Sequence, residues 1–281
     1  MIKVVTDTTA GLDLDWVRQH HVPYIPQVIY FGEQSFLEIE EISQAEFLRR
    51  LKASSSLPRT AAPPPGLFIK AFQELEADKN TILCIHPSAE VSGTVRSAQL
   101  AKEEAFPNAD IRIIDTRTIG AQLRLMVMKA VEWAEAGVDA DTIVARLADM
   151  TRRTRTYFMV ATLEYLQRGG RIGGAAAIVG QLLQIKPILM LRDGRVEALA
   201  RERTLKRATQ RLCELVLEEV GCDMSPCVQV MHAEAPERAQ ELAGYFKERL
   251  GRQDVEVIDL VPAIITHAGP GVVGAGFLAK A

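Results

Sequence analysis

The sequence has little of what usually fixes a function at sight. Charge of one sign is missing: among 281 residues, 33 Lys and Arg stand against 36 Asp and Glu, a formal charge of −3 with neutral histidines. A nucleic-acid-binding domain normally carries a basic excess, so no nucleic-acid partner is expected. Long apolar runs are missing too. The most apolar stretch, Gly173 to Leu191, is interrupted by Gln181, Gln184, Lys186 and Pro187, whereas a spanning helix needs about 20 mostly apolar residues. It reads instead as a buried helix followed by a buried strand. At the N-terminus MIKVVTDTTAG breaks its apolar stretch at Asp7 and offers no signal-peptide core. A cytoplasmic protein without stable membrane insertion is expected, with transient membrane contact at most.

Cysteine is scarce. Cys84, Cys213, Cys222 and Cys227 form no Cys-x-x-Cys pair and no spaced histidine pair follows, so no metal is expected. Cys222 and Cys227 flank DMSP, close enough for two loop thiols to meet. In a cytosolic chain of this size, reduced structural thiols are the expectation.

Catalytic signatures are absent as well. Gly269, Gly271 and Gly274 match G-x-G-x-x-G, but only seven residues follow, too few for the helix and the acidic residue of a dinucleotide fold. GGRIGG lacks the Lys-Ser/Thr ending of a P-loop. There is no G-x-S-x-G elbow and no H-E-x-x-H helix. No cofactor is expected and no catalytic residue can be assigned.

What is present is an ordinary globular balance, 48% apolar and 25% charged, in a length that suits roughly two domains. Lys3–Thr6, Thr81–His86 and Ile111–Ile114 read as strands, each followed by a loop and a helical pattern, which predicts a parallel sheet with right-handed crossovers. Tyr24 to Phe31, broken by Pro26, suits an edge strand. Ser43 with Glu46 makes a capping box. Three strand ends carry hydroxyls and acids: Thr6-Asp7-Thr8-Thr9, then Ser88, Ser92 and Thr94, then Asp115-Thr116. Such groups at helix starts can hold an anion, and routine N-capping explains each one alone.

Ser54 to Gly66, SSSLPRTAAPPPG, holds four prolines in thirteen residues and reads as a stiff, extended loop. It is either a linker or a pocket wall that places Thr60. After residue 150 the pattern changes. Ile188–Arg192 and Val196–Ala200 flank Asp193-Gly194, a hairpin signal that calls for antiparallel pairing. The boundaries expected are an N-terminal α/β domain over 1–150 with a parallel sheet, and a C-terminal α+β domain over 151–281 with a mixed sheet.

The ordered motifs VVTDTTAGL, RTAAPPPGLF, VSGTVRSA, LEYLQRGGRIGGAAAIVGQLLQIKPIL and HAGPGVVG resemble the DegV family over nearly the whole chain. The resemblance implies a two-domain α/β protein that encloses one long-chain fatty acid between its domains. It also implies a non-catalytic binding subunit that presents the carboxylate to a separate fatty acid kinase, which phosphorylates it to an acyl phosphate for phospholipid metabolism. Motif by motif, the carboxylate contacts carry over to Thr60 and Ser92, with Gly93 as a backbone donor. His267 and Arg171 match positions near the head group, and Arg171 would face the phosphate or the partner. The sequence departs from the family where Thr-Ser-Gln-Pro-Ser is common in the Pro-rich loop, having Ala61, Ala62 and Pro64, and where Val95 replaces a frequent Tyr.

The residues fit such a ligand on physical grounds. Some fourteen methylenes buried at about 0.8 kcal/mol each offer on the order of 10 kcal/mol before ordering costs. Apolar supply for the tail exists in Ile178, Val179, Leu182, Leu183, Ile185, Ile188, Ile264 and Ile265, all of which suit an ordinary core equally. Hydroxyls such as Thr60 and Ser92 would orient a carboxylate nucleophile while drawing off less charge than a bidentate Arg. His267 would donate a hydrogen bond near the carboxylate, cap backbone groups in a Gly-rich turn, or act in proton chemistry. Arg203 and Arg207 suit a basic docking surface or a solvated helix. Two rival functions fit the same residues: a lipid carrier or sensor without a kinase, and an acyl-transfer or hydrolytic enzyme using Ser92 and His267.

Overall fold

The computed structural model describes residues 1–54, 56–181 and 185–281, with the side chain of residue 181 left aside. The chain forms two compact units, Met1–Thr151 and Arg152–Ala281.

In the first unit, β1 (Ile2–Asp7) leads through a 3-10 turn to α1 (Leu14–Gln19), whose first amides are capped by the Asp13 carboxylate. There follow β2 (Tyr24–Ile25), β3 (Val28–Phe31), β4 (Gln34–Leu37) and α2 (Gln44–Ala53), which Ser43 caps through the Glu46 amide at 3.2 Å. Next come β5 (Arg59–Ala61), α3 (Pro65–Glu74), β6 (Thr81–His86), α4 (Thr94–Ala105), β7 (Ile111–Asp115), α5 (Ala121–Glu135) and α6 (Ala140–Arg153). Strands β2-β1-β6-β7, in that order, make an all-parallel sheet. Val5, Phe68, Phe72, Ala98 and Phe106 fill the core on one side of it.

Two local expectations are corrected here. Tyr24 to Phe31 is no single edge strand. Pro26, which has no amide hydrogen to give a ladder, separates β2, the edge of the parallel sheet, from β3, the middle of a second, antiparallel sheet of order β4-β3-β5. The Pro-rich segment is also more regular than a loop: Arg59–Ala61 pairs with β3, and Pro65 occupies the first turn of α3, where its missing amide costs nothing.

The second unit runs β8 (Thr154–Met159), α7 (Glu164–Arg168), β9 (Lys186–Arg192), β10 (Arg195–Glu202), α8 (Leu205–Glu219), β11 (Val228–His232), α9 (Pro236–Leu250), β12 (Val255–Asp259), α10 (Pro262–Ala268) and β13 (Val273–Leu278). Its six strands take the order β10-β9-β8-β13-β11-β12, antiparallel except for β11 with β12. The hairpin expected at Asp193-Gly194 joins β9 to β10, both turn residues having positive φ. Tyr157, Leu212, Val216, Phe246 and Phe277 centre the core.

Three readings change in this unit. Gly173–Gln181 is a helix of 3-10 type, and it is mostly not buried: only Ala175 and Ile178 are buried among its described side chains; Leu182 and Leu183 lie outside the described residues. The Gly-rich VGAGFL, in which no strand was expected, forms β13 at the centre of the sheet. A β-carbon on Gly274 would stand 2.6 Å from the Phe158 β-carbon, so its absence lets β13 close on β8. Finally, Cys222 and Cys227 form a disulfide with their α-carbons 4.8 Å apart, while Cys84 and Cys213 stay free.

Candidate functional site

In the first unit the carboxyl ends of β1, β6 and β7 meet. His86, ending β6, places Nδ1 at 2.7 Å from Asp7 Oδ2 at the end of β1, and its carbonyl accepts the Thr116 hydroxyl at 2.8 Å. Most of the strand-end hydroxyls are consumed internally: Thr6 donates to the Ile85 carbonyl at 2.8 Å, and Thr8 donates to the buried Glu38 carboxylate. Both side chains of the Asp7–His86 pair are fully buried. Burial works against charge on the His86 ring, but the Cys84 sulfur and the Asp7 carboxylate outweigh it and raise its pKa to about 10.

Ser92 and Gly93 leave this buried layer toward the surface. Ser92 is half-buried and Gly93 exposed, immediately before α4. They therefore sit at the positive end of a 12-residue helix. The Ser88 carbonyl accepts the Ser92 amide at 3.0 Å, and Ser92 Oγ accepts the Thr94 amide at 3.3 Å. The Pro-rich segment lies against this turn. A β-carbon on Gly93 would meet the Ala62 β-carbon at 3.4 Å, and the Ser97 hydroxyl donates to the Pro63 carbonyl. Thr60 is half-buried in β5, paired with Ile29 of β3. The fold thus sets the end of β5, which carries Thr60, and the residues that follow it beside the turn that carries Ser92 and Gly93. Val95 is buried in the first turn of α4.

In the second unit the two Gly-rich motifs meet. His267 lies in the last turn of α10, and Arg171 follows the turn after α7. Arg171 Nη1 donates to the Gly169 carbonyl at 2.7 Å. A β-carbon on Gly169 would lie 2.2 Å from His267 Nδ1, so only glycine lets the ring approach this backbone. Burial and then the Arg171 guanidinium hold the His267 pKa down at about 4, which leaves a neutral imidazole at neutral pH. A neutral ring still offers one donor and one acceptor. Arg203 and Arg207 are exposed around Thr204, the N-cap of α8.

Sequence reasoning missed a cavity of about 510 Å³ in this unit, walled by α8, α9 and the sheet through Met159, Leu205, Cys213, Leu242, Tyr245 and Val273. That volume falls within the range of small-molecule sites. Nothing in the local pattern separates these residues from core, since Met159, Cys213, Leu242 and Val273 are buried at helix and strand periods. Among the described residues no group of three His, Cys, Asp or Glu side chains is placed to hold a metal, and no helix is long and apolar enough to cross a membrane.

The model of a family described as "Uncharacterised protein, DegV family" matches residues 1–280. A DegV domain-containing protein of Halalkalibacterium halodurans is 34% identical over 97% of this chain and 96% of its own. Among solved structures, a fatty-acid-binding DegV family protein from Thermus thermophilus superposes with a TM-score of 0.89 at 31% identity, covering 99% of both chains. DegV of Bacillus subtilis, described as a fatty acid binding protein, superposes with a TM-score of 0.88 at 31% identity, again over 99% of both.

Proposed function

The chain belongs to the DegV family, and from that premise we propose that it binds one long-chain fatty acid and presents the carboxylate to a fatty acid kinase for conversion to an acyl phosphate, without catalysing the transfer itself. In this reading the lipid is held in the cytoplasm. The observation that carries the lipid reading is the cavity of about 510 Å³, whose wall carries Met159, Leu242 and Val273 alongside the polar Lys206, Arg238 and Glu241, in a chain whose near-full-length structural relatives are described as fatty-acid-binding. Each methylene placed there gains about 0.8 kcal/mol, so the tail supplies the affinity.

The head group has a different requirement. A carboxylate that must attack phosphorus has to be oriented while keeping its electron density. Thr60 and Ser92 supply hydroxyl donors, Gly93 a backbone donor, and His267 a neutral imidazole donor. The Arg171 guanidinium is drawn toward the Gly169 carbonyl; we assign it to the phosphate or the partner rather than to the fatty acid. The Arg203 and Arg207 side chains extend the charged surface for that partner.

The test is direct. Purified protein, denatured and extracted, should release a long-chain fatty acid identified by mass spectrometry, and stripped protein should take up palmitate. Ser92→Ala and Thr60→Ala should each weaken palmitate binding by about tenfold, the loss of a hydrogen bond to a charged group, and should slow acyl phosphate formation with a cognate kinase. A folded protein that releases no fatty acid and binds none would overturn the reading; lipid binding without kinase turnover would leave a carrier.

A further inference from the structure

Behind Ser92 runs a chain of buried polar contacts whose direction can be worked out from chemistry. Ser92 Oγ lies 2.7 Å from Thr94 Oγ1. Thr94 Oγ1 accepts from Gln27 Nε2 at 3.0 Å, and the same nitrogen donates to Asp7 Oδ1 at 2.9 Å. That oxygen also accepts the Thr9 amide at 3.0 Å and the Thr9 hydroxyl at 2.5 Å. On its other side, Asp7 Oδ2 meets His86 Nδ1 at 2.7 Å, and His86 Nε2 lies 3.0 Å from Cys84 Sγ. Asp7, Cys84, His86 and Thr94 have no exposed surface and Gln27 has 3%. The backbone of Gln27 is held as well, its amide by Thr8 Oγ1 at 3.1 Å and its carbonyl by the Glu38 amide at 2.9 Å.

A carboxylate oxygen has no hydrogen to give, so Gln27 must turn its amino group and not its carbonyl toward Asp7. The second hydrogen of that amino group then fills a lone pair of Thr94 Oγ1. Thr94 accepts from Gln27, and because the Thr94 hydroxyl is fully buried its own hydrogen needs an acceptor; we assign that hydrogen to the hydroxyl 2.7 Å away, Ser92 Oγ. Ser92 Oγ also accepts the Thr94 amide. With both inward contacts taken as acceptor, the hydrogen of Ser92 points out of the chain of bonds.

We propose that Asp7, Gln27 and Thr94 are positioning residues that fix the Ser92 hydroxyl as an outward hydrogen-bond donor and so make the head-group site selective for an acceptor-only group, an ionised carboxylate, over a fatty alcohol of the same length. The inference rests on the fatty-acid reading above and adds residues that would touch no ligand. A charge-assisted hydrogen bond is roughly twice as strong as a neutral one, so a committed donor favours the carboxylate, whereas a hydroxyl free to rotate serves an alcohol nearly as well.

The experiment measures the ratio of affinities for palmitate and hexadecanol on the full chain. Gln27→Leu, which interrupts the relay, should lower the palmitate-to-hexadecanol ratio about tenfold relative to the unmodified protein. Thr94→Val should do the same, and Thr94→Ser should restore the ratio. A residue that merely supported the fold would weaken both ligands together, so an unchanged ratio in Thr94→Val overturns the proposal, and it decides the matter alone if Gln27→Leu does not fold. If the unmodified protein binds hexadecanol as well as palmitate, the proposal falls while lipid binding stands. If it binds neither, the fatty-acid reading falls with it.

Discussion

His86 and His267 are both taken out of water, yet their surroundings drive them to opposite charge. For His86, burial disfavours the cation, but the Cys84 sulfur and the Asp7 carboxylate prevail and hold the ring protonated up to about 10, against an ordinary 6.5. For His267, burial comes first and the Arg171 guanidinium adds to it, so protonation is delayed to about 4. Linkage turns these shifts into stability. The contribution of His86 is complete below about 6.5 and is lost as pH rises through about 10. The unfolded chain binds the extra proton at position 267 once pH falls below about 6.5, so stability drains between there and about 4. Urea unfolding across this range should therefore show a maximum near pH 6.5 with an arm falling on either side. His86→Gln should flatten the alkaline arm and His267→Gln part of the acidic one. Little of this was legible beforehand. Asp7, Gln27, His86 and Thr94 each have an ordinary local explanation, and the bonds that join Asp7 to Gln27 and Gln27 to Thr94 span 20 and 67 residues.

At the scale of elements, the decisive contact is the turn after α7 against α10. Gly169 and Gly170 are neighbours with different tasks. A side chain at Gly170 meets open space and bears only the cost of φ +70, about 1–2 kcal/mol, whereas one at Gly169 would enter the His267 ring. Gly169→Ala should weaken palmitate binding at least tenfold by displacing that imidazole, and Gly170→Ala should lower the melting temperature while leaving binding within about twofold; calorimetry on both variants checks the contrast. The motifs themselves stood out in the sequence as YLQRGGRIG and HAGPG. Their meeting did not, because close approach of a ring to a backbone is a tertiary property. Turn and cap chemistry, which is local, was readable: Ser43 starts α2 and Asp193-Gly194 closes the β9–β10 hairpin as their residue types dictate. The strand β13 was not, since a segment with glycine at 274 and 276 has low intrinsic strand preference and is held by its two neighbours on either side.

For the molecule as a whole, the alternation of strands and helices announced an α/β protein, and the parallel first sheet and mixed second sheet follow that pattern. The cavity beneath α8 and α9 adds a size limit that composition could not express. Thr209 lies on its wall. Thr209→Trp should shorten the lipid that co-purifies and reduce palmitate affinity by about tenfold while sparing a twelve-carbon acid, as mass spectrometry of extracts and calorimetry would show; the direction follows from filling space in a packed wall. The place of β13 has a consequence in time as well as in space. It is the last of the six strands to leave the ribosome, and it alone bonds both β8 and β11. Until it emerges, β10-β9-β8 and β11-β12 are two half-sheets with open edges, which are ready templates for wrong pairing. His267, on α10 just before it, is fixed in the same final step, so under the proposed function a nascent chain would hold no lipid head group there before the sheet is whole.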